Sequence, residues 1–472
     1  MNKLKLFIEN FLVYGIGGII SKIIPLIMVP IVTRLMPTSE YYGLSDLSNT
    51  VVSFASALAV MGMYDAMYRM FFERDDEEYK KKICSTALIF TIFTSIIVFF
   101  ALILLKEQIA QSFFSNRKYS YIVYLSAMAA LVGATNSIIS APTRMQNKRK
   151  IFLITNTISP LISYSIAIPM LLGGYYTVAL PLAAVISGMT MEIIFGILNH
   201  SWFDLKKFDF SLLKQLLTIA IPLLPNFLIY WVFNSCDKVM ITNMIGIGAA
   251  GIYSVGSKLG HCSQLIYTAF SGGWQYFAFS TMKEENQVKS NSLIFEYLGI
   301  ISFVSTTFIC ALSYIIFKIL FTEQYLSGYI IAPYLFLAPL LQMLFQVVAN
   351  QFLVVKKTWP NLFILLVGAV SNAAINYFMI PFLGIEGASL ATLMGYVISD
   401  VICVIVLCKM KLMAIEKRFL LASVGMIAYF IIWRLFIPNN TILSLMLAVC
   451  TSIYFAVLYR TDIVRLVKIL RK

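Results

Sequence analysis

Long apolar stretches follow one another along the whole chain, broken only by short polar segments. An α-helix rises about 1.5 Å per residue, so crossing roughly 30 Å of hydrocarbon takes about 20 mainly apolar residues. On that measure the pattern predicts fourteen transmembrane helices, near residues 11–33, 44–68, 83–105, 121–141, 151–172, 178–198, 217–242, 250–276, 293–318, 330–354, 361–381, 386–408, 418–437 and 441–459. Asp237, Lys238, Lys258 and His261 interrupt the seventh and eighth stretches, and reading either as a loop lowers the count to thirteen or twelve. No break is long enough to hold a separate soluble domain.

Composition agrees with this pattern. The chain is 60% hydrophobic and only 12% charged, whereas a soluble domain carries about 25% charged residues. It reads as an all-α integral membrane protein. A net charge of +14 is compatible with a nucleic-acid ligand, but the distribution of the charge explains it better. With the N-terminus placed in the cytoplasm, the inside segments hold 27 of the 36 Lys and Arg residues, the outside segments six, and the spans three: Lys22, Lys238 and Lys258. Cytoplasmic loops retain Lys and Arg, so the asymmetry predicts an even span count and two cytoplasmic termini. The first apolar run has full spanning length and is followed by Arg34 rather than a small-residue cleavage site, so it is expected to remain as a helix.

Short matches recur at an offset near 210 residues. Ile168-Pro169-Met170-Leu171-Leu172-Gly173-Gly174 joins the fifth and sixth spans, and Ile380-Pro381-Phe382-Leu383-Gly384-Ile385-Glu386-Gly387 joins the eleventh and twelfth, 212 residues on. Tyr41-Tyr42-Gly43-Leu44 follows the first span and Ala250-Gly251-Ile252-Tyr253 the seventh, with Gly43 and Gly251 208 positions apart. A nearly constant offset at corresponding loops makes spans one to six and seven to twelve equivalent bundles. Six spans per bundle preserve topology, so the repeat axis is expected along the membrane normal. The expected organisation is a six-helix lobe over residues 1–205, a second over 206–412, and a helical hairpin with a cytoplasmic tail over 413–472.

In lipid the informative face of a helix is its polar one, because an unpaired polar group in hydrocarbon costs several kcal/mol. Span eight carries Ser254, Ser257, Lys258, His261, Gln264, Thr268, Ser271 and Gln275 at three- and four-residue steps, which is one face of a helix. Span seven repeats the pattern with Asn226, Tyr230, Asn234 and Asp237, and span two with Asp46, Asn49, Ser53 and Ser56. Lys22 lies in span one. Counting along the helices places Lys22 and Lys258 near the bilayer midplane, where two cations suit an anionic ligand.

Structural roles compete with these functional ones. Either lysine could serve as structural glue against a carboxylate or backbone carbonyls. Lys238 follows Asp237, and adjacent helical residues point about 100° apart, so the two need not pair. Asp65 and Arg69 have the spacing of a local ion pair, with a gate as the other reading. His261 is read either as a core histidine or as a ligand and proton carrier beside Lys258. The seven cysteines have no metal-ligand spacing and read as small core residues. Glu73, Asp75, Asp76, Glu77 and Glu78, followed by three lysines, read as a solvated loop. Tyr41, Tyr42, Trp202, Trp274, Tyr276 and Trp359 fit interface anchors. Nucleotide-binding, zinc-protease and paired-cysteine motifs are missing, so neither a cofactor nor an enzymatic activity is expected.

Leu35-Met36-Pro37, Glu40-Tyr41-Tyr42-Gly43, Gly62 with Asp65 to Arg69, Asp237-Lys238 and Gly251-Ile252-Tyr253-Ser254 follow in an order that resembles the multidrug, oligosaccharidyl-lipid and polysaccharide exporter superfamily. Within it the chain is similar to the polysaccharide transport branch, which contains the O-antigen and capsule repeat-unit flippases. The resemblance implies two six-helix lobes around a central cavity lined by helices one, two, seven and eight. It implies movement of an undecaprenyl-pyrophosphate-linked oligosaccharide from the inner to the outer leaflet of the cytoplasmic membrane by alternating access. Lys22, Lys258 and Lys238 would then meet the pyrophosphate, with His261 in the same cavity, while Asn49, Ser53, Asn226, Tyr230, Asn234 and Gln264 would suit sugars. Asp65, Arg69 and Asp237 would gate or couple ions. Membrane lipids, and other polysaccharide assembly proteins, are the partners implied. A lipid-linked peptidoglycan precursor flippase and an ion-coupled multidrug exporter of the same superfamily remain alternatives, as does, with less support, a membrane polymerase or ligase.

Overall fold

The structure is a computed structural model that describes residues 23–268, 270, 274, 278, 286–355 and 359–464. Among the described residues every regular element is helical. Eleven helices among these residues are long and apolar enough to cross a membrane, or twelve when one bent pair counts as a single span. The first and eighth predicted spans lie partly outside the described residues, which accounts for the difference from fourteen. This is a multi-pass membrane protein. The chain forms two compact units, Met1–Ser254 and Val255–Lys472.

The first unit contains α1 (Ile23–Leu35), α2 (Ser39–Val60), α3 (Met63–Phe71), α4 (Glu77–Leu104), α5 (Lys106–Phe114), α6 (Ser120–Met145), α7 (Arg149–Leu172), α8 (Ala179–Asn199), α9 (Phe210–Ala220), α10 (Leu224–Met244) and the start of α11 (Ile247–Gly260). At its centre α6 packs on α2, α4 and α8. It can do so because Ala127, Ala130, Ala134 and Ala141 are all fully buried, and small residues let helices approach closely where lipid supplies no hydrophobic drive between them. Polar pairs then fix the register: Ser48 and Ser126 lie 2.8 Å apart between α2 and α6, and Asn199 donates to Ile139 O at 2.9 Å between α8 and α6.

The second predicted span is not straight. It bends by 47° between α2 and α3, where Met61 and Gly62 both take left-handed backbone, with φ of 49° and 75°. A Cβ at Gly62 would stand 2.7 Å from Ala220 O; glycine therefore supplies both the turn and the close approach of α9. In the seventh predicted span the α-helix is interrupted by a 3₁₀ turn, Ile221–Leu223, which contains Pro222, and Pro225 follows in the first turn of α10.

The second unit contains α12 (Gln287–Leu320), α13 (Ala332–Val354), α14 (Trp359–Leu383), α15 (Ile385–Lys409), α16 (Lys417–Phe436) and α17 (Thr441–Leu458). Among the spans α13 is the most enclosed, with 89% of its apolar stretch buried. The α14–α15 hairpin turns at Gly384, φ 61°, after the in-helix Pro381; the α7–α8 hairpin of the first unit turns at Gly174, φ 85°, after the in-helix Pro169. Each of the two hairpins found by sequence offset thus passes through a glycine of positive φ shortly after an in-helix proline.

Two ionic clamps attach α16 and α17. Glu296 on α12 accepts from Arg418 Nε at 3.2 Å, Tyr459 OH at 3.2 Å and Glu416 N at 3.0 Å, and Arg418 also pairs with Asp462. Towards the other end Arg434 donates through Nε and Nη2 to the two oxygens of Glu386, at 2.6 and 2.8 Å. The bidentate fork fixes orientation as well as charge.

Some expectations need correction. Cys84, Cys310 and Cys403 are buried, but Cys408 and Cys450 are exposed; an apolar solvent removes the penalty for turning a thiol outward. Tyr42 and Trp274 are buried rather than displayed at a helix end. The acidic run is exposed and locally paired: Lys80 lies 2.6 Å from Asp75, and that hydrogen bond holds the Asp75 carboxyl below its ordinary range.

Arg418→Ala is expected to lower stability in detergent by about 3 kcal/mol, because it strands the buried Glu296 carboxylate. Lys81→Ala, which removes the exposed pair with Glu77, is expected to cost less than about 0.5 kcal/mol. Thermal unfolding of the two variants side by side checks this; equal losses would contradict it.

Candidate functional site

The chemistry of the first unit concentrates where α2, α10 and α11 meet. α2 buries an unusual set of polar groups, among them Ser45, Asp46, Ser48 and Thr50. A carboxylate enclosed in a membrane bundle demands compensation. Asp46 receives it from Lys238 Nζ at 2.6 Å and from the Ser254 hydroxyl at 2.8 Å. Asp237 accepts the Tyr253 hydroxyl and the backbone N–H of Lys238, the latter at 2.9 Å. Asp46, Asp237, Tyr253 and Ser254 are each at most 5% exposed.

Close backbone approach brings these groups together. A Cβ at Gly43 would lie 2.4 Å from Ile247 O, and one at Gly251 would lie 2.0 Å from Ser39 O. No larger residue fits either position. The contacts are reciprocal: Ser39 and Ile247, like Gly43 and Gly251, are separated by 208 positions, and so are Asp46 and Ser254. Residue i meeting the equivalent of j, while j meets the equivalent of i, is the signature of a two-fold contact. The offset read from the sequence therefore has a physical counterpart. Charge breaks the symmetry, since the position matched to Lys238 is Pro30.

The sequence-predicted residues distribute unevenly around this crossing. Lys238 and Asp237 are at its centre, and the open question of Lys238's partner is answered by Asp46, 192 positions away. Asn49 and Ser53 are exposed on α2, where Ser53 donates to Thr50 O at 2.9 Å. Asn226 and Tyr230 are half-buried on α10; Asn234 is exposed and donates to Tyr230 O at 2.7 Å. Lys258 is exposed near the end of α11, while His261 and Gln264 are half-buried. The expected continuous stripe on span eight is broken, because α11 ends at Gly260 and residues His261–Ser263 form a 3₁₀ turn. A 3₁₀ turn advances about 120° per residue instead of 100°, so residues before and after it no longer share one face. Lys22, Ser271 and Gln275 lie outside the described residues.

Asp65 and Arg69 are both exposed on α3, and among the described residues no ion pair joins them. Exposure explains the outcome: two mobile side chains gain little from pairing when the surroundings already screen them. Sequence reasoning did not include Asp46, Tyr253 or Ser254 among the site residues. The signal was present in the repeat, since Gly43 and Gly251 carry Asp46 and Ser254 three residues on.

These features define a polytopic helical bundle that encloses a buried ionic junction. Residues 31–329 match the sequence model described as polysaccharide biosynthesis protein, and the chain belongs to that family. No curated protein matches it by sequence. Its fold is similar to the solved structure of the lipid II flippase MurJ in an inward closed conformation, at 14% identity and a TM-score of 0.72, covering 96% of this chain and 100% of that one. It also resembles an inward-facing multidrug resistance transporter of the MATE family, at 12% identity and a TM-score of 0.58, over 83% of this chain and 98% of the other. A MOP superfamily transporter from Pyrococcus furiosus, described as having a binding pocket of reverse polarity, gives 14% identity and a TM-score of 0.60 over 86% and 95%.

Lys238→Met is expected to destabilise the protein by about 3–5 kcal/mol by leaving Asp46 buried without its cation. The double variant Asp46→Asn, Lys238→Met should regain most of that loss. A double-mutant cycle on unfolding in detergent measures the coupling, and simple additivity of the two single losses would refute the pair as a structural element.

Proposed function

We propose that this chain is a flippase that carries undecaprenyl-pyrophosphate-linked oligosaccharide repeat units from the inner to the outer leaflet of the cytoplasmic membrane. The observation that carries this reading is the union of family and fold: a polysaccharide biosynthesis family chain that is superimposable over nearly its whole length on a lipid flippase. In this reading residues 1–205 and 206–412 are the two six-helix lobes, and both termini are cytoplasmic, as the placement of Lys and Arg indicates.

The chemistry supports the cargo. A pyrophosphate presents dense negative charge, and lysine binds phosphate as a point charge without requiring one geometry, which suits a ligand in motion. Lys258, exposed on a membrane helix, is the residue we assign to that contact, with His261 and Gln264 following it. Asn49, Ser53, Asn226, Tyr230 and Asn234 supply amide and hydroxyl groups for sugars. Lys238 has a second task, because its ammonium compensates Asp46; we assign it and Asp237 to the junction that changes when access alternates. Lys22 is retained as a second cation for the pyrophosphate, and Asp65 and Arg69 as residues that gate or couple ions.

A lipid-linked peptidoglycan precursor is the second reading, favoured by the higher TM-score with the lipid II flippase than with the drug transporters. Both cargoes share the polyprenyl pyrophosphate, and the genetic surroundings separate them.

Lys258→Ala is expected to insert at normal levels and to cause lipid-linked oligosaccharide to accumulate on the cytoplasmic face, with export reduced about tenfold or more, the loss of one charge-assisted contact. Glycan analysis of the two leaflets checks this, and wild-type export would overturn the assignment.

A further inference from the structure

The first unit contains a polar cleft that the sequence reading did not single out. Among the spans α7 is the least enclosed, with 11% of its apolar stretch buried, yet it is not uniformly apolar. Asn156, Ser159 and Ser163 fall three and four residues apart, which is one face of the helix. A cavity of about 230 Å³ between α6, α7 and α8 is lined by Asn136, Ser140, Arg144, Asn156 and Ser159. A second, of about 410 Å³, continues from the same Asn156 and Ser159 to Ser163, Tyr164 and Ser187. Together they fall within the roughly 300–1,000 Å³ of a small-molecule site, and they extend on the order of 16 Å along α7 from Phe152 to Ser163, at 1.5 Å per residue.

Three details distinguish this cleft from helix-packing glue. Asn136 Oδ1 is buried and among the described residues has no hydrogen-bond partner, an unsatisfied acceptor in the wall of the cleft. Pro160 lies inside α7 and has no N–H, so the carbonyl of Asn156 loses its usual helical donor; a backbone acceptor is freed at one of the two residues that the cavities share. At one end stands a cation: Arg144 donates through Nη1 to Tyr64 OH at 3.1 Å and lies 5.4 Å over the Phe152 ring. The guanidinium has five N–H donors in all, and Lys148, Arg149 and Lys150 follow in the adjoining turn. Acceptors and hydroxyls along a groove that ends in a guanidinium match a hydroxyl-rich chain with an anionic phosphate at one end.

We infer that this cleft holds the headgroup of the cargo, with Arg144 on the phosphate and Asn136, Asn156, Ser159 and Ser163 along the sugars. The inference rests on the proposed flippase function and adds a glycan site within the first unit, distinct from the α2, α10 and α11 junction.

The test uses the full-length chain in nanodiscs with its native cysteines replaced, carrying Ser140→Cys or Ser159→Cys. A hydrophilic methanethiosulfonate reagent is expected to modify both. Inorganic pyrophosphate should slow the reaction of the Ser140→Cys variant by about tenfold, the scale of one charge-assisted hydrogen bond, and adding Arg144→Gln should abolish that protection. A mixture of neutral tri- to pentasaccharides should slow the Ser159→Cys variant. Modification only by lipid-soluble reagents, which marks a lipid-filled cleft, or rates indifferent to both probes, would overturn the inference. In cells, Asn156→Leu with Ser159→Leu is expected to reduce export about tenfold at normal membrane levels, as loss of a comparable hydrogen-bonding contact would. Should that variant export normally while deletion of the chain blocks export, the cleft assignment fails and the flippase reading stands. Should deletion leave export intact, the flippase reading fails, and thiol protection still decides whether the cleft binds phosphate and sugar.

Discussion

The first unit depends on one constraint: a carboxylate on α2 must find its cation inside a membrane bundle. Asp46 finds it in Lys238, 2.6 Å away. Beside that pair two glycines let α2 and α11 touch backbone to backbone, where a single added Cβ would stand 2.0–2.4 Å from a carbonyl oxygen, and this contact brings Ser254 to the same carboxylate. Packing and electrostatics are therefore not separate layers here. Small residues set the distance between helices, and that distance decides which charges can be neutralised.

The same logic operates in the second unit with different residues. Glu296 and Glu386 are buried at opposite ends of the bundle, each satisfied by an arginine from α16. Buried pairs contribute modestly to net stability, but breaking one is costly. Their effect is to specify where α16 and α17 dock. Asp400 differs, for it is buried on α15 and among the described residues neither of its oxygens is hydrogen-bonded, at the edge of an apolar cavity of about 490 Å³.

Much of the fold was legible in the sequence, because membrane spanning imposes a length and a composition that a hydropathy pattern records directly. The repeat was legible too: Gly43 and Gly251 are constrained by one crossing, so both copies kept glycine. The partner of Lys238 was not, since Asp46 lies 192 positions away and only the packing of three helices brings them together. Periodicity along span eight was misleading beyond Gly260. There Ala332 and Leu335 of α13 approach so closely that a Cβ would lie 2.7 Å from Leu335 Cβ, and the helix tightens into a 3₁₀ turn that no local preference announces. The polar face of α7 escaped notice because its serines and asparagine look ordinary in sequence; what marks them is the space they share with Asn136 and Arg144 on α6.

Reconstitution is the decisive test of the proposed movement of a lipid-linked oligosaccharide across a bilayer. Purified protein would be incorporated into vesicles whose inner leaflet alone carries a fluorescent undecaprenyl-pyrophosphate oligosaccharide, and an external glycosidase would report arrival at the outer leaflet. Rapid, protein-dependent exposure of the glycan is expected, with pyrophosphate-free polyprenyl glycosides moved far more slowly. Glycan exposure no faster than in protein-free vesicles, under every ion gradient imposed, would contradict it.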